Sequence, residues 1–254
     1  MTDEPAQPRL AATVVVVRDA AAGLEVLLLR RAERGDHNSG AWVFPGGLVD
    51  AADRNCHGVC LGLDDTQASL RLGVDAGGLD HYVAAIRECF EEAGLLFAVA
   101  ADGQSVRLLG EPGESLSALR GALGRGACEL ADLCRDFDLR LRPDRLFYIG
   151  HWVTPVGRAK RFDTRFFLAV LPEGQLSAHD NVETVEQVWL APAFALAAEN
   201  TRRLMTPTRA MIEQVAPFAD TAAVLDWARS PRQVVRVLPL LPVGGAAAAQ
   251  EKSK

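Results

Sequence analysis

Ile86-Arg87-Glu88-Cys89-Phe90-Glu91-Glu92-Ala93-Gly94-Leu95 is the stretch on which the reading of this chain turns. Wound as a helix, it puts Tyr82, Ile86, Cys89, Phe90 and Ala93 on one apolar stripe and Glu88, Glu91 and Glu92 on the opposite arc, with Arg87 at its flank. Carboxylates three and four residues apart repel one another by about 0.2–0.5 kcal/mol per pair, so the arc calls for a cation. Oxygen ligands converging from a rigid helix suit a hard divalent ion such as Mg²⁺, which binds one or two carboxylates together with waters and phosphate oxygens. A solvated acidic face is the plainer alternative.

A second stretch lies upstream, Trp42-Val43-Phe44-Pro45-Gly46-Gly47-Leu48-Val49-Asp50-Ala51-Ala52-Asp53. Two adjacent glycines after a short apolar run allow backbone to approach a ligand closely. Together the two stretches resemble the signature of the Nudix hydrolases, in which a glycine and an acid precede Arg-Glu-U-x-Glu-Glu-x-Gly-U, U being a bulky aliphatic. Arg87, Glu88, Glu91, Glu92, Gly94 and Leu95 match that pattern, Asp53 stands one methylene short at the first acid, and Cys89 fills the first U as a small hydrophobe. Residues 54–86 separate the halves, so the signature carries an insertion.

The resemblance implies an α/β Nudix fold, a mixed sheet sandwiched between helices, with a helical insertion and a C-terminal helical extension. We expect one domain over residues 10–241, with an insertion at 54–79 read as a surface elaboration, a helical elaboration at 112–137, an extension at 200–241, and disordered ends at 1–9 and 242–254. Local patterns agree. Ala12 to Val17 and Glu25 to Arg31 read as a hairpin, and Ala41 to Phe44 as a short strand. Asp64 to Leu72 reads as a helix capped by Asp65, and Asp80 as the cap of the helix that ends at Gly94. Leu95 to Ala98 restarts as a strand, and two short helices share Pro112 to Phe137. Strands follow at Arg145–Val153, Phe162–Val170 and Val182–Leu190, then helices at Pro192–Glu199, Pro207–Phe218 and Thr221–Arg229, and a late strand at Gln233–Leu238.

A net charge of −6 argues against nonspecific nucleic-acid or membrane binding, and no run reaches the roughly 20 apolar residues of a membrane span. Met1 to Pro5 lacks the order of a signal peptide, and Lys252-Ser253-Lys254 is not the Ser-Lys-Leu peroxisomal address, so a cytoplasmic protein is expected. Five cysteines without a secretory signal read as reduced thiols, and Cys56, His57 and Cys60 fit no zinc spacing. His37, His81, His151 and His179 have no partner at telling spacing.

Carried over by motif position, Glu88, Glu91 and Glu92 would hold Mg²⁺ or Mn²⁺ together with the Gly46 carbonyl, while Arg87, Asp53 and Gly47 would support them. The general base is open between Glu88, Glu183 and Glu186; strand alternation allows only one of the last two to face the site. Leu27 to Gly47 further resembles the motif of coenzyme A diphosphatases and implies substrate contacts at Arg31, Ala32, Gly40 and Phe44. Asp36 stands where that motif has a second arginine, with Arg34 as the cation able to substitute. Arg161-Phe162-Asp163-Thr164-Arg165 and the insertion resemble the peroxisomal-type branch of that group, which adds Arg161 as a contact. The implied activity is metal-dependent cleavage of coenzyme A or acyl-coenzyme A to 3′,5′-ADP and a 4′-phosphopantetheine. ADP-ribose or NADH is the rival substrate class, and a non-catalytic ligand sensor the rival role. The partner is a small nucleotide; oligomeric state is open, a homodimer included.

Overall fold

The computed structural model describes residues 6–35, 38–108 and 113–240. In chain order the strands are β1 (Arg9–Ala20), β2 (Gly23–Arg31), β3 (Trp42–Val43), β4 (Gly46–Leu48), β5 (Ala98–Val99), β6 (Arg140–Leu141), β7 (Phe147–Val153), β8 (Phe162–Val170), β9 (Thr184–Leu190) and β10 (Arg236–Val237). The helices are α1 (Asp65–Leu72), α2 (Gly78–Ala93), α3 (Gly113–Gly124), α4 (Leu130–Asp136), α5 (Pro192–Leu196), α6 (Thr206–Val215) and α7 (Thr221–Arg229), with a 3₁₀ segment over Ala51–Val59.

The main sheet runs β10-β7-β8-β1-β2-β3, with β4 on β1 and β9 on β2. β1 runs parallel to β8 from Arg9↔Phe162 to Val17↔Val170 and antiparallel to β2, but the hairpin pairs only from Val17↔Val26 to Ala20↔Gly23. Beyond that point the two strands part, and β4 lies on β1 while β3 lies on β2. The Trp42–Leu48 stretch therefore fills a split in the sheet, which puts Gly46 and Gly47 at its centre.

Alternation along β1 and β2 sends side chains into two cores. Val14, Val16, Leu27 and Leu29 meet Tyr82, Ile86 and Phe90 of α2 on one face; Val15, Val17, Val26 and Leu28 meet Met211, Ile212 and Val224 of α6 and α7 on the other. The mixed sheet with helices on both faces is the architecture the signature implied.

Several local expectations give way. The insertion is no surface elaboration, because Cys56, Leu63, Ala68 and Leu72 are buried in the α2-side core. Gly78 begins α2 against the α1 backbone, where an added Cβ would fall 2.3 Å from the Ser69 nitrogen. The cap of α1 is Asp64, which accepts from Gln67 N at 2.8 Å, while Asp65 reaches Gly77 N and Leu79 N. Asp80 is drawn off to His57 and Arg54, so Gly77, in the left-handed region, precedes α2 instead. The strand expected from Leu95 shrinks to β5, and the late strand to β10. Arg9 already belongs to β1; residues 1–5 and 242–254, and with them the expected disorder there, lie outside the described residues, as do Asp36, His37 and Pro112. All five cysteines are free thiols. Among the described residues no helix is long and apolar enough to cross a membrane.

Candidate active site

The acidic arc of α2 is not a solvated face. Glu88 and Glu91 retain 14% and 15% of their side-chain exposure, and Glu92 is buried. The covering pieces are the Gly46–Asp53 segment and the chain that enters β9.

Arg87 joins the two halves of the signature. Its Nε and Nη2 donate to Asp53 at 2.7 and 3.2 Å, Nη2 also donates to the Leu48 carbonyl at 2.8 Å, and Nη1 donates to Glu88 at 2.9 Å and Glu91 at 3.4 Å. A planar fork with fixed donors suits this task, and a lysine could not span it. Asp53 is held in turn by Asp50, whose carboxylate caps Ala52 N and whose own N–H donates to Asp53 at 2.8 Å. Burial works against a charge on Arg87, but Asp53, Glu88 and Glu91 outweigh it and raise its proton affinity. The insertion between the halves thus leaves their contact intact.

The glutamates remain under-compensated. Among the described residues Glu92 accepts one hydrogen bond, from Gly46 N at 2.9 Å, and burial together with the charge of Glu88 raises its pKa well above the ordinary range. Glu88 is pushed up to about 7, by burial first, with Arg87 opposing and Glu91 and Glu183 adding to the rise. Glu91 is raised by burial, again against Arg87. Gly47 is where it is because Glu88 leaves no room: a Cβ there would come within 2.4 Å of Glu88 Oε1. Among the described residues no trio of His, Cys, Asp or Glu side chains is already closed into a cation cage. The donor set nevertheless fits a divalent ion, since the excess charge is carboxylate, converges from one rigid helix, and meets backbone that carries no side chain at Gly47.

The other expected residues divide. Arg31, at the end of β2, is close enough for its charge to act on Glu92. Ala32 donates its N–H to the Glu183 carbonyl at 2.9 Å, and Arg34 Nη2 donates to the Val182 carbonyl at 2.9 Å, so both hold the entry to β9. Gly40 has φ +66° and donates to the Arg31 carbonyl at 3.2 Å, closing the loop behind Arg31. Phe44, expected at the substrate, is instead buried in the core on the α6 side. Arg161 is likewise spent on backbone, donating to the carbonyls of Thr154 and Ala6 at 3.1 and 2.7 Å. Glu186 pairs across the sheet with Arg30 at 2.5 Å, whereas the charge of Glu183 acts on Glu88, Glu91 and Glu92. Of the two candidates on that segment, Glu183 is the one beside the cluster.

Two residues escaped sequence reasoning. Arg120 of α3 donates from Nε to the Glu91 carbonyl at 2.7 Å and has a buried Nη2 without a partner among the described residues. Thr184 is buried with its hydroxyl against the Glu92 carbonyl. Both depend on long-range packing, and neither stretch carries a motif. A cleft of about 450 Å³ at the outer edge of β9, lined by Trp42, His179, Asn181, Glu186, Gln187 and Arg202 among others, contains none of the α2 glutamates.

The family model described as the NUDT19 Nudix domain matches residues 76–210 of this chain. The acyl-coenzyme A diphosphatase NUDT19 of Xenopus laevis is 28% identical over 217 residues, covering 72% of this chain and 57% of that protein. The human acyl-coenzyme A diphosphatase NUDT19 is 28% identical over 240 residues, covering 81% of this chain and 63% of that protein. The chain thus spans about three-fifths of the length of these relatives. Among solved structures, a Nudix hydrolase from Alicyclobacillus acidocaldarius superposes with a TM-score of 0.68 at 26% identity, over 87% of this chain and 96% of that one.

Proposed function

Because this chain belongs to the NUDT19 Nudix domain family, we propose that it is a metal-dependent diphosphatase that hydrolyses coenzyme A or an acyl-coenzyme A to 3′,5′-ADP and the corresponding 4′-phosphopantetheine. The observation that carries the reading is the under-compensated carboxylate cluster of Glu88, Glu91 and Glu92, held against Gly46 and Gly47 by an Arg87 already committed to Asp53. The relatives' activity and the Leu27 to Gly47 register support the substrate class.

Glu88, Glu91, Glu92 and the Gly46 carbonyl would hold Mg²⁺ or Mn²⁺, which supplies charge neutralisation at the pyrophosphate and a more acidic water. The chain's own groups do the rest. Arg31 anchors a phosphate by its forked donors and so fixes the phosphorus relative to the cluster. Glu183 accepts the proton of the attacking water as its oxygen bonds to phosphorus; the bond from phosphorus to the bridging oxygen breaks, and that oxygen leaves on the other phosphate. Arg87 and Asp53 keep the glutamates from rotating away.

The test is turnover of coenzyme A, ADP-ribose and NADH by purified protein with Mg²⁺ or Mn²⁺, with products separated by chromatography. Coenzyme A should be cut fastest. Arg31→Ala should lower its kcat/KM by roughly ten- to a hundredfold, the scale of a charge-assisted contact. Faster cleavage of ADP-ribose or NADH, unaffected by Arg31→Ala, would replace the substrate assignment with the rival class.

A further inference from the structure

We propose that Asp180 is a positioning residue that aims Glu183 at the glutamate cluster, through a turn clamped onto the end of α2; this rests on the reading of Glu183 as the base.

Asp180 opens the turn into β9. Its carboxylate accepts from Glu183 N at 3.1 and 3.0 Å, from Thr184 N at 2.8 Å and from the Thr184 hydroxyl at 2.8 Å. The turn also needs a left-handed residue, and Asn181 takes φ +62°, a conformation that asparagine tolerates better than most side chains. One carboxylate thus organises the backbone on both sides of the Glu183 Cα. Glu183 itself has an exposed side chain with no ion-pair partner among the described residues, so what holds it near the cluster is the backbone position that the turn fixes.

The turn is fastened to the helix that carries the glutamates. Ala178 N donates to the Ala93 carbonyl at 2.8 Å. The Thr184 hydroxyl lies 2.8 Å from Asp180 Oδ1 and 3.4 Å from the Glu92 carbonyl; with one hydrogen, it bonds the nearer and packs on the farther. Arg120, already bonded to the Glu91 carbonyl, faces the Asp180 charge across the same junction. Ala32 and Arg34 hold the outer side of the turn at Glu183 and Val182. The Asp180 charge is kept by these bonds: burial raises its pKa, yet the N–H groups of Glu183 and Thr184 and the Thr184 hydroxyl bring it below the ordinary value. The result is a rigid link from the α2 carbonyls to the Glu183 backbone. Displacement of a catalytic group by about 1 Å can cost a hundredfold in rate, so such a link has leverage on turnover.

A double-mutant cycle tests it, run at saturating Mg²⁺ on whichever pyrophosphate substrate the protein turns over fastest. Glu183→Gln should lower kcat by about a hundredfold, the low end for loss of a general base. Asp180→Ala should lower kcat by about tenfold with KM changed less than about twofold, and Asp180→Asn, which keeps an acceptor oxygen for part of the turn, should fall between. In the Glu183→Gln background, Asp180→Ala should cost less than about twofold, because the residue it aims is gone. A loss from Asp180→Ala that is equally large in both backgrounds, or that appears in KM alone, would overturn the positioning role while leaving Glu183 as base. Unchanged kcat in Glu183→Gln would overturn the base and the positioning role together, yet leave the diphosphatase reading standing. If Asp180→Ala does not fold, Asp180→Asn carries the same cycle at smaller amplitude.

Discussion

Two buried arginine clusters flank α2 and differ in their balance of charge. Near its N-terminal half, Arg165 and His151 converge on the single carboxylate of Asp163, with His151 Nε2 at 2.7 Å. Burial raises the Asp163 pKa, but the His151 hydrogen bond and the Arg165 charge bring it below the ordinary value. Farther along the helix, Arg87 serves Asp53, Glu88 and Glu91, and among the described residues Glu92 has a hydrogen bond only from the Gly46 N–H. The first cluster is closed at its acid, which has two cationic partners, although the buried Arg165 Nε has no partner among the described residues. The second holds more carboxylates than cations, and acids whose proton affinity is raised in this way point to a working site.

The sharpest way to break this comparison is to neutralise one acid in each cluster. Glu92→Gln keeps the shape and the Gly46 contact but removes a ligand charge, so turnover should fall by roughly a thousandfold or more, as expected when electrostatic stabilisation of the transferring phosphoryl group is lost. Thermal stability of the metal-free protein should not fall, since burial already disfavours the Glu92 charge. Asp163→Asn should do the reverse, lowering Tm with little change in kcat. Near-normal activity of Glu92→Gln at saturating Mg²⁺ would remove the distinction.

A smaller effect is expected from the arginines. Arg87→Met strands Asp53, which is buried, and should cost about 3–5 kcal/mol, the scale for breaking one side of a buried pair. Arg165→Met leaves Asp163 with His151 and should cost less, about 1–3 kcal/mol. Mn²⁺ should raise the Tm of Arg87→Met more than that of the unaltered protein, because the ion takes up charge that Arg87 relinquished, and should not rescue Arg165→Met. Equal Mn²⁺ shifts in all three proteins, read by thermal denaturation, would mean that Arg87 and the metal act independently.

The closed cluster was invisible in the sequence and the open one legible, for a physical reason. Glu88, Glu91, Glu92 and Arg87 lie within two helical turns, so helix periodicity alone groups them, and the signature adds Asp53 across residues 54–86 because Arg87 has to reach it. His151, Asp163 and Arg165 meet by the antiparallel register of β7 on β8, which no local pattern encodes. The same limit explains the base: Arg30 captures Glu186 across the β2–β9 pairing, and only that pairing separates it from Glu183. Helix starts were misjudged where a better partner existed, as when His57 and Arg54 drew Asp80 away from capping α2. Burial of the insertion was readable in part, since Ala68 and Leu72 are four residues apart and face one way.

A pH-dependent effect concerns His81, buried on α2 beside the closed cluster, with Nδ1 unpartnered among the described residues. Burial, followed by the Arg165 charge, pushes its pKa down from 6.5 to about 4, with Asp163, the Ala11 carbonyl and Asp80 opposing. The folded protein therefore holds His81 neutral where the unfolded chain would take up a proton. Its stabilising contribution is complete above pH 6.5 and is lost as the pH falls through about 4, by up to about 3 kcal/mol. His81→Gln, which cannot titrate, should flatten the dependence of unfolding free energy on pH by about one proton across that window. Urea denaturation at pH 7 and pH 4.5 measures the difference. An identical pH dependence in the two proteins would mean that His81 is protonated in the fold at pH 4.5, so that the closed cluster tolerates another positive charge beside it.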